Sequence, residues 1–402
     1  LLHYYKSWCL IRLGKTAEAQ IAIATAEKEP ADYCFPNALE AIEALQCVVD
    51  FAGKAPKALY YLGNLWYDKR RYPTAIAAWE RSSREDETFP TVWRNLSLAY
   101  FNKMNRPDEA VALLEKAFRL DHTDARVLME LDQLYKRLNR PHIERLCFLE
   151  QHIDIVMTRD DLYLEYVTLL NQTGQYREAI RRIDQRKFHP WEGGEGKVPA
   201  QYQLARLELA KELINRKKYD DALALIDECY IYPTHLGEGK LPGAQENDFN
   251  YYKAYILQQQ GRPEEAHSLF VKASSGNSQP AAAMYYNDQK PDKIFYQGLA
   301  YRKLGEEEKA RSRFNQLITY GEEHLFDRFK MDYFAVSLPD LLIWEDDMDK
   351  KNRIHCNYLM ALGHLGLGNR TKAEHFFDIA ASMDNNHQGV QIHRKLMNTI
   401  LS

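Results

Sequence analysis

Two short segments come nearest to a recognisable chemistry: Gly194-Glu195-Gly196-Lys197 and, 43 positions later, Gly237-Glu238-Gly239-Lys240. A glycine-rich turn followed by lysine can offer backbone N–H groups and a cation to a phosphate. The spacing argues against that use. A phosphate loop places another Gly five positions before the Gly-Lys pair and Ser or Thr after the Lys, whereas Trp191 and Val198 occupy those positions. Each segment ends in a proline, Pro199 or Pro242. The expected structure is therefore a turn whose glycines take positive φ, with Pro opening the next helix. Trp191, Glu195, Lys197, Glu238 and Lys240 are then candidate contacts on a loop rim.

The other candidates for chemistry fail on spacing too. Glu345, Asp346, Asp347 and Asp349 bring enough carboxylates for a cation, without the alternation and terminal Glu of a calcium loop. The 13 histidines form no H-E-x-x-H pair, and no G-x-S-x-G elbow occurs. Cys9, Cys34, Cys47, Cys147, Cys229 and Cys356 are scattered, with no C-x-x-C pair. No metal, cofactor or catalytic reaction is expected of this stretch of chain.

Charge and composition narrow the remaining classes. Across 402 residues, 53 basic and 57 acidic side chains leave a net charge of -4, so the basic excess of a nucleic-acid binder is missing. No run approaches the ~18 apolar residues of a membrane span, and reduced thiols in a cytoplasmic protein are the expectation. With only 19 Gly and 15 Pro, and many good helix formers, an all-α chain is predicted. It opens Leu1-Leu2-His3 without an initiator Met, and reads as though cut from a longer polypeptide.

The helices announce themselves through a repeat. An Ala is followed four positions later by a bulky apolar residue and, in most copies, three later by a small one. The triplets are Ala19/Ile23/Ala26, Ala75/Trp79/Ser82, Ala110/Leu114/Ala117, Ala266/Phe270/Ala273 and Ala373/Phe377/Ala380. Ala179/Ile183, Ala222/Ile226/Cys229 and Ala310/Phe314 follow more loosely. Gly stands five residues before the Ala at Gly14, Gly174, Gly261, Gly305 and Gly368. Small residues let two antiparallel helices approach, and the large residue one turn on fills the space beside the crossing. The Gly ends the first helix in a left-handed conformation. Such a hairpin cannot bury its apolar face alone, so neighbours must stack.

With Leu62-Gly63, Trp66, Ala75 and Trp79 in one unit, and Trp93, Leu96, Tyr100, Ala110, Ala117 and Asp121 in the next, the pattern resembles the tetratricopeptide repeat. Residues 125–152 keep Leu131 and Tyr135 but carry Arg145 where Ala belongs, a degenerate copy. The resemblance implies a right-handed α-solenoid of about eight or nine hairpins of ~34 residues. Central repeats are enlarged by the loops at 189–199, 232–242 and 274–291. One continuous solenoid is expected, with hairpins at 1–155 and 156–335, then an insertion at 338–350, a last hairpin and a capping helix over 387–401.

What the resemblance implies for function is binding of a peptide or partner protein along the first helices of the hairpins. On this sequence that groove would include Tyr60, Asn64, Tyr67, Arg94, Asn95 and Phe101, continuing through Met129, Gln133, Thr168 and Asn171. Asn64 and Asn95 fall on the two Asn positions of the family's carboxylate clamp, but Tyr60 replaces its first Lys. An aromatic, hydrogen-bonding groove is the expectation.

A narrower resemblance covers the whole chain. YYLGNLWYDKRRY, FPTVWRNLSLAYFNK, FHPWEGGEGKVPAQY and SLPDLLIWEDD look like the C-terminal repeat region of a family of large, mostly bacterial proteins of unknown function. There the repeats follow an N-terminal β-sandwich similar to sugar-mutarotase folds. This implies an alternative to the scaffold reading: the accessory half of a carbohydrate-active or carbohydrate-binding protein, docking on its own N-terminal domain.

Overall fold

A computed structural model describes residues 1–191, 193–282, 288–328 and 343–397. Helices and short connections make up these residues, with no strand among them. The chain forms two compact units, the first Leu1–Leu138 with Ile343–Glu345, the second Asn139–Leu342 and Asp346–Ser402.

Unit 1 holds α1 (Leu2–Arg12), α2 (Thr16–Lys28), α3 (Glu40–Ala52), α4 (Pro56–Asp68), α5 (Tyr72–Glu85), α6 (Pro90–Met104), α7 (Pro107–Leu120) and α8 (Ala125–Arg137). The pairs α1/α2, α4/α5 and α6/α7 are antiparallel hairpins, and α3 packs between α1 and α4. Pro56, Pro90 and Pro107 open their helices, where a missing N–H does no harm. Asp124 caps α8, its side chain accepting from the Arg126 and Val127 amides at 2.9 and 3.1 Å.

Unit 2 holds α9 (His142–Gln151), α10 (Ile153–Val156), α11 (Asp160–Gln172), α12 (Tyr176–Asp184), α13 (Lys197–Asn215), α14 (Tyr219–Cys229), α15 (Asn247–Gln259), α16 (Pro263–Ser274), α17 (Pro291–Lys303), α18 (Glu307–His324), α19 (Met348–Gly366), α20 (Arg370–Met383) and α21 (Gln388–Leu396). Hairpins pair α11/α12, α13/α14, α15/α16, α17/α18 and α19/α20.

The repeated Ala positions are the hairpin crossings. Ala19, Ala75, Ala110, Ala179, Ala222, Ala310 and Ala373 are fully buried, and the large residue after each is buried beside it. A Cβ built on Gly63 would lie 2.2 Å from the Trp79 ring, and one on Gly298 2.4 Å from Phe314. At those glycines the aromatic ring of the partner helix occupies the space that a Cβ would need. The left-handed turn recurs at Gly14, Gly174, Gly261, Gly305 and Gly368. Arg70, Asn105 and Lys217 occupy the equivalent turns at φ 59°, 51° and 57°.

The expected final helix is shorter, ending at Leu396, and residues 398–402 lie outside the described ones. It does more than cover an end. Val390, His393 and Leu396 share a face that is buried. Gln388 bonds to Gln201 at 2.8 Å, and Lys395 donates to the Tyr176 hydroxyl at 3.0 Å. Gln172 donates to the Asn386 carbonyl at 2.8 Å. The turn before α21 and α21 itself thus run along the inner helices of unit 2. Thr168 and Asn171, expected in an open groove, are buried there. Asn171 donates to Gln201 at 2.9 Å.

Candidate functional site

Within unit 1, α4, α6 and α8 present their inner faces side by side, and the expected groove residues on α4 and α6 do assemble. Asn95 Nδ2 donates to Asn64 Oδ1 at 2.9 Å, and Trp79 Nε1 donates to the same oxygen at 3.1 Å. Arg94 Nη1 donates to Asn95 Oδ1 at 3.2 Å. Its Nε and Nη2 make a bidentate pair with Glu130, at 2.7 and 2.6 Å. Glu130, on α8, is 0% exposed. Burial would lower the Arg94 pKa, but the hydrogen bonds and charge of Glu130 more than offset it, and the net direction is up. Arg94 is thus a fixed cation whose fork is filled from inside the fold. Tyr60 is buried against Phe89, ring centres 4.9 Å apart.

Two turns toward the C-terminal end of α6, the inner face changes character. Ile343–Glu345 lies across it. Asn102 Nδ2 donates to the Ile343 carbonyl at 2.8 Å, and Asn102 Oδ1 accepts from the Glu345 amide at 3.0 Å. Arg137 Nη2 donates to the Trp344 carbonyl at 3.1 Å. Between these main-chain bonds the Trp344 side chain turns inward, 1% exposed. Its Nε1 donates to the Glu130 carbonyl at 3.1 Å, and its ring meets Phe101 edge-on at 5.1 Å. Lys103 pairs with the Glu345 carboxylate.

These interactions are unequal. An ion pair with Glu345 54% exposed contributes at most about 1 kcal/mol. Truncating a buried indole removes about 3–5 kcal/mol. Trp344 is the anchor, and Asn102 fixes the direction in which the segment runs. Tyr67, on α4, borders the seat. Burial raises its pKa, against the nearby Lys103 and the hydrogen bond it makes with Asn102.

Sequence reasoning reached Phe101 and Tyr67 and missed Asn102, Glu130, Arg137 and Trp344. A signal did exist, since SLPDLLIWEDD departs from any repeat pattern. Residues 338–342 of the expected packed insertion lie outside the described residues.

The loop-rim candidates meet within unit 2. The Glu238 carboxylate accepts the Gly196 amide at 2.7 Å, and the Phe188 amide donates to the His235 carbonyl at 2.8 Å. Burial raises the Glu238 pKa, the Gly196 N–H pulls it down and Glu195 adds to the rise. Trp191 lies against Gly194, where a Cβ would be 2.3 Å from its ring. Lys240 pairs with Glu246 and donates to the Tyr230 carbonyl at 2.8 Å. The exposed Glu195 lies within reach of the Gly193 amide, at 3.3 Å. Gly193, Gly196 and Gly237 all take positive φ, and Lys197 begins α13. The amide that would hold a phosphate at Gly196 is taken by a carboxylate from the neighbouring loop. No group of three or more His, Cys, Asp or Glu placed to hold a metal occurs among the described residues. No described helix is long and apolar enough to cross a membrane.

Comparison with known proteins fits this anatomy. Residues 90–124, which contain α6 and α7, match a family model of the tetratricopeptide repeat, and residues 294–320, from α17 into α18, match another. Solved structures give distant matches. A chain of the Naa15/Naa10 complex bound to HypK-THB aligns over 89% of this chain and 63% of its own, at 13% identity and TM-score 0.40. YrrB, a tetratricopeptide-repeat protein with an unusual peptide-binding site, aligns over 47% of this chain and 91% of its own, at 15% identity and TM-score 0.35. A tetratricopeptide-repeat protein from Parabacteroides merdae aligns over 75% of this chain and 99% of its own, at 15% identity and TM-score 0.28.

Proposed function

We propose that this chain is a non-catalytic scaffold that binds an extended segment of a partner protein along the inner helices of unit 1. The carrying observation is Asn102. Its amide meets a main-chain carbonyl and a main-chain amide of one short segment, Ile343–Glu345, at 2.8 and 3.0 Å. Main-chain hydrogen bonds supply affinity for any extended peptide, and a pocket between them selects a side chain. Tyr67, Phe101 and Arg137 complete such a pocket. Asn64, Arg94 and Asn95 hold the helices that carry it in register.

The test is affinity capture from native lysate with mass-spectrometric readout, comparing wild type with Phe101→Ala/Asn102→Ala. A partner captured by wild type and lost from the variant is the expected result. The same set of proteins on both would refute the reading.

The bond between Gly196 and Glu238 favours a second reading, because it joins the two Gly-Glu-Gly-Lys loops into one surface. In that reading the loops dock this chain on its own N-terminal domain, as the accessory half of a carbohydrate-active protein. Binding of that domain in trans, weakened by Glu238→Ala, is what it requires.

A further inference from the structure

We infer that Ile343–Glu345 is an internal occupant of the unit 1 groove, and that the partner displacing it is a peptide in which an aliphatic residue, a tryptophan and an acidic residue follow one another. This rests on the peptide-groove reading above and names its ligand.

Three features of the seat carry the inference. First, the strand is held as a ligand would be. Asn102 and Arg137 make three bonds to the main chain of Ile343, Trp344 and Glu345, none of which needs the strand to belong to this chain. Second, the pocket is shaped for an indole. It offers an aromatic edge from Phe101 and a carbonyl acceptor for the ring N–H at Glu130, a hydrogen bond that Phe or Leu could not make. Third, the charge around the strand is directional. Lys103 meets the side chain that follows the Trp, so an acidic residue fits there and a basic one is repelled.

The hairpins do not depend on the strand for their own crossings. Ala75 with Trp79, and Ala110 with Leu114, are buried between α4 and α5 and between α6 and α7. A peptide that supplies the same Trp and the same main-chain groups replaces each lost contact with an equivalent one. A groove already filled from within lowers its apparent affinity by the fraction of time it is open.

The probe is a fluorescein-labelled peptide, Leu-Leu-Ile-Trp-Glu-Asp-Asp, the sequence at 341–347, titrated into the full chain and followed by anisotropy. Trp344→Ala should bind it at least about tenfold more tightly than wild type. The same peptide with Ala for Trp should not bind, and adding Asn102→Ala should abolish the gain. Equal affinity of wild type and Trp344→Ala, with circular dichroism showing both folded at the titration temperature, overturns the inference.

If Trp344→Ala does not fold, the exposed Glu345→Arg decides, with a gain of about threefold expected from loosening the strand and no gain overturning it. Peptide binding that survives Asn102→Ala places the site elsewhere and sinks the groove reading as well. Lack of peptide binding by every variant, alongside a captured partner that depends on Asn102, leaves the groove reading standing and removes this one. A dimer by light scattering that Trp344→Ala dissociates would mean that the strand fills the groove of a second copy, and would overturn an internal occupant.

Discussion

Arg145 Nη1 donates to Asn386 Oδ1 at 2.7 Å, with the guanidinium 1% exposed and its Nη2 donating to Glu165 at 2.7 Å. This Arg stands where the repeat pattern calls for Ala. It fits because the turn before α21 enters the inner side of unit 2 at that point and supplies the acceptor. What reads as decay of a repeat is the socket for a later element.

Removing that guanidinium takes away its buried ion pair with Glu165 and its bond to Asn386, and opens a void. Arg145→Ala should destabilise unit 2 by about 3 kcal/mol, and Asn386→Ala by about 1–2 kcal/mol. Urea unfolding followed by circular dichroism measures both. A loss below about 0.5 kcal/mol for Arg145→Ala would show the socket to be ornamental.

In unit 1, Gly63→Ala drives a methyl into the Trp79 ring. The ring cannot swing aside without losing its hydrogen bonds to Asn64 Oδ1 and the Tyr60 carbonyl. A cost of about 1–3 kcal/mol is expected. Adding Trp79→Leu should recover part of it, so that the double variant is more stable than the sum of the two single losses.

The left-handed turn at Lys217 runs the other way. With φ at 57° and the side chain exposed, Lys217 adopts a conformation that disfavours any Cβ. Lys217→Gly should raise stability by about 0.5–1 kcal/mol, after the greater entropy of Gly in the unfolded chain is counted. A higher urea midpoint with an unchanged slope is the expected signature.

His393 predicts a pH dependence. Burial pushes its pKa down to about 4. Asp292 and Glu208 act against this, as does the Gly389 carbonyl, whereas Lys211 adds to it. The residue is 4% exposed, its Nδ1 lies 3.0 Å from the Tyr358 hydroxyl, and its buried Nε2 finds no hydrogen-bond partner among the described residues. With the folded pKa below the ordinary ~6.5, the stabilising contribution is complete above pH 6.5 and is lost as pH falls toward 4. Its full size is roughly 3 kcal/mol. His393→Gln should flatten the decline between pH 6.5 and 4.5, leaving the shares of His355, whose pKa burial lowers to about 4, and of His364 and His387, which burial also lowers. An unchanged acid limb in the variant would show that His393 is not the group responsible.

How much of this was legible in the sequence follows from distance along the chain. Ala110, Leu114 and Ala117 lie within one helix, so their spacing alone reports the crossing they make. Gly174 and Gly305 report their turns in the same local way. Helix α3 carries no such triplet and escaped notice, although it explains why Ala19 and Ala75 are 56 positions apart. Arg94 read as a groove cation because its partner, Glu130, lies 36 residues on, and nothing local marks which of the many glutamates will meet it. Asn102 and Trp344 were invisible as a pair for the same reason.

The seat of Trp344 also imposes an order of events. Asn102 and Ile343 are 241 residues apart, whereas α4 through α8 are held by contacts between neighbours in the chain. Locally connected helices fold early, and distant closures late. At a synthesis rate of about 5–20 residues per second, the segment bearing Trp344 emerges roughly 10–50 s after the helices that seat it. On the proposal above, a partner present at the ribosome during that interval would meet an uncontested surface, and the mature chain would offer the same surface only by exchange.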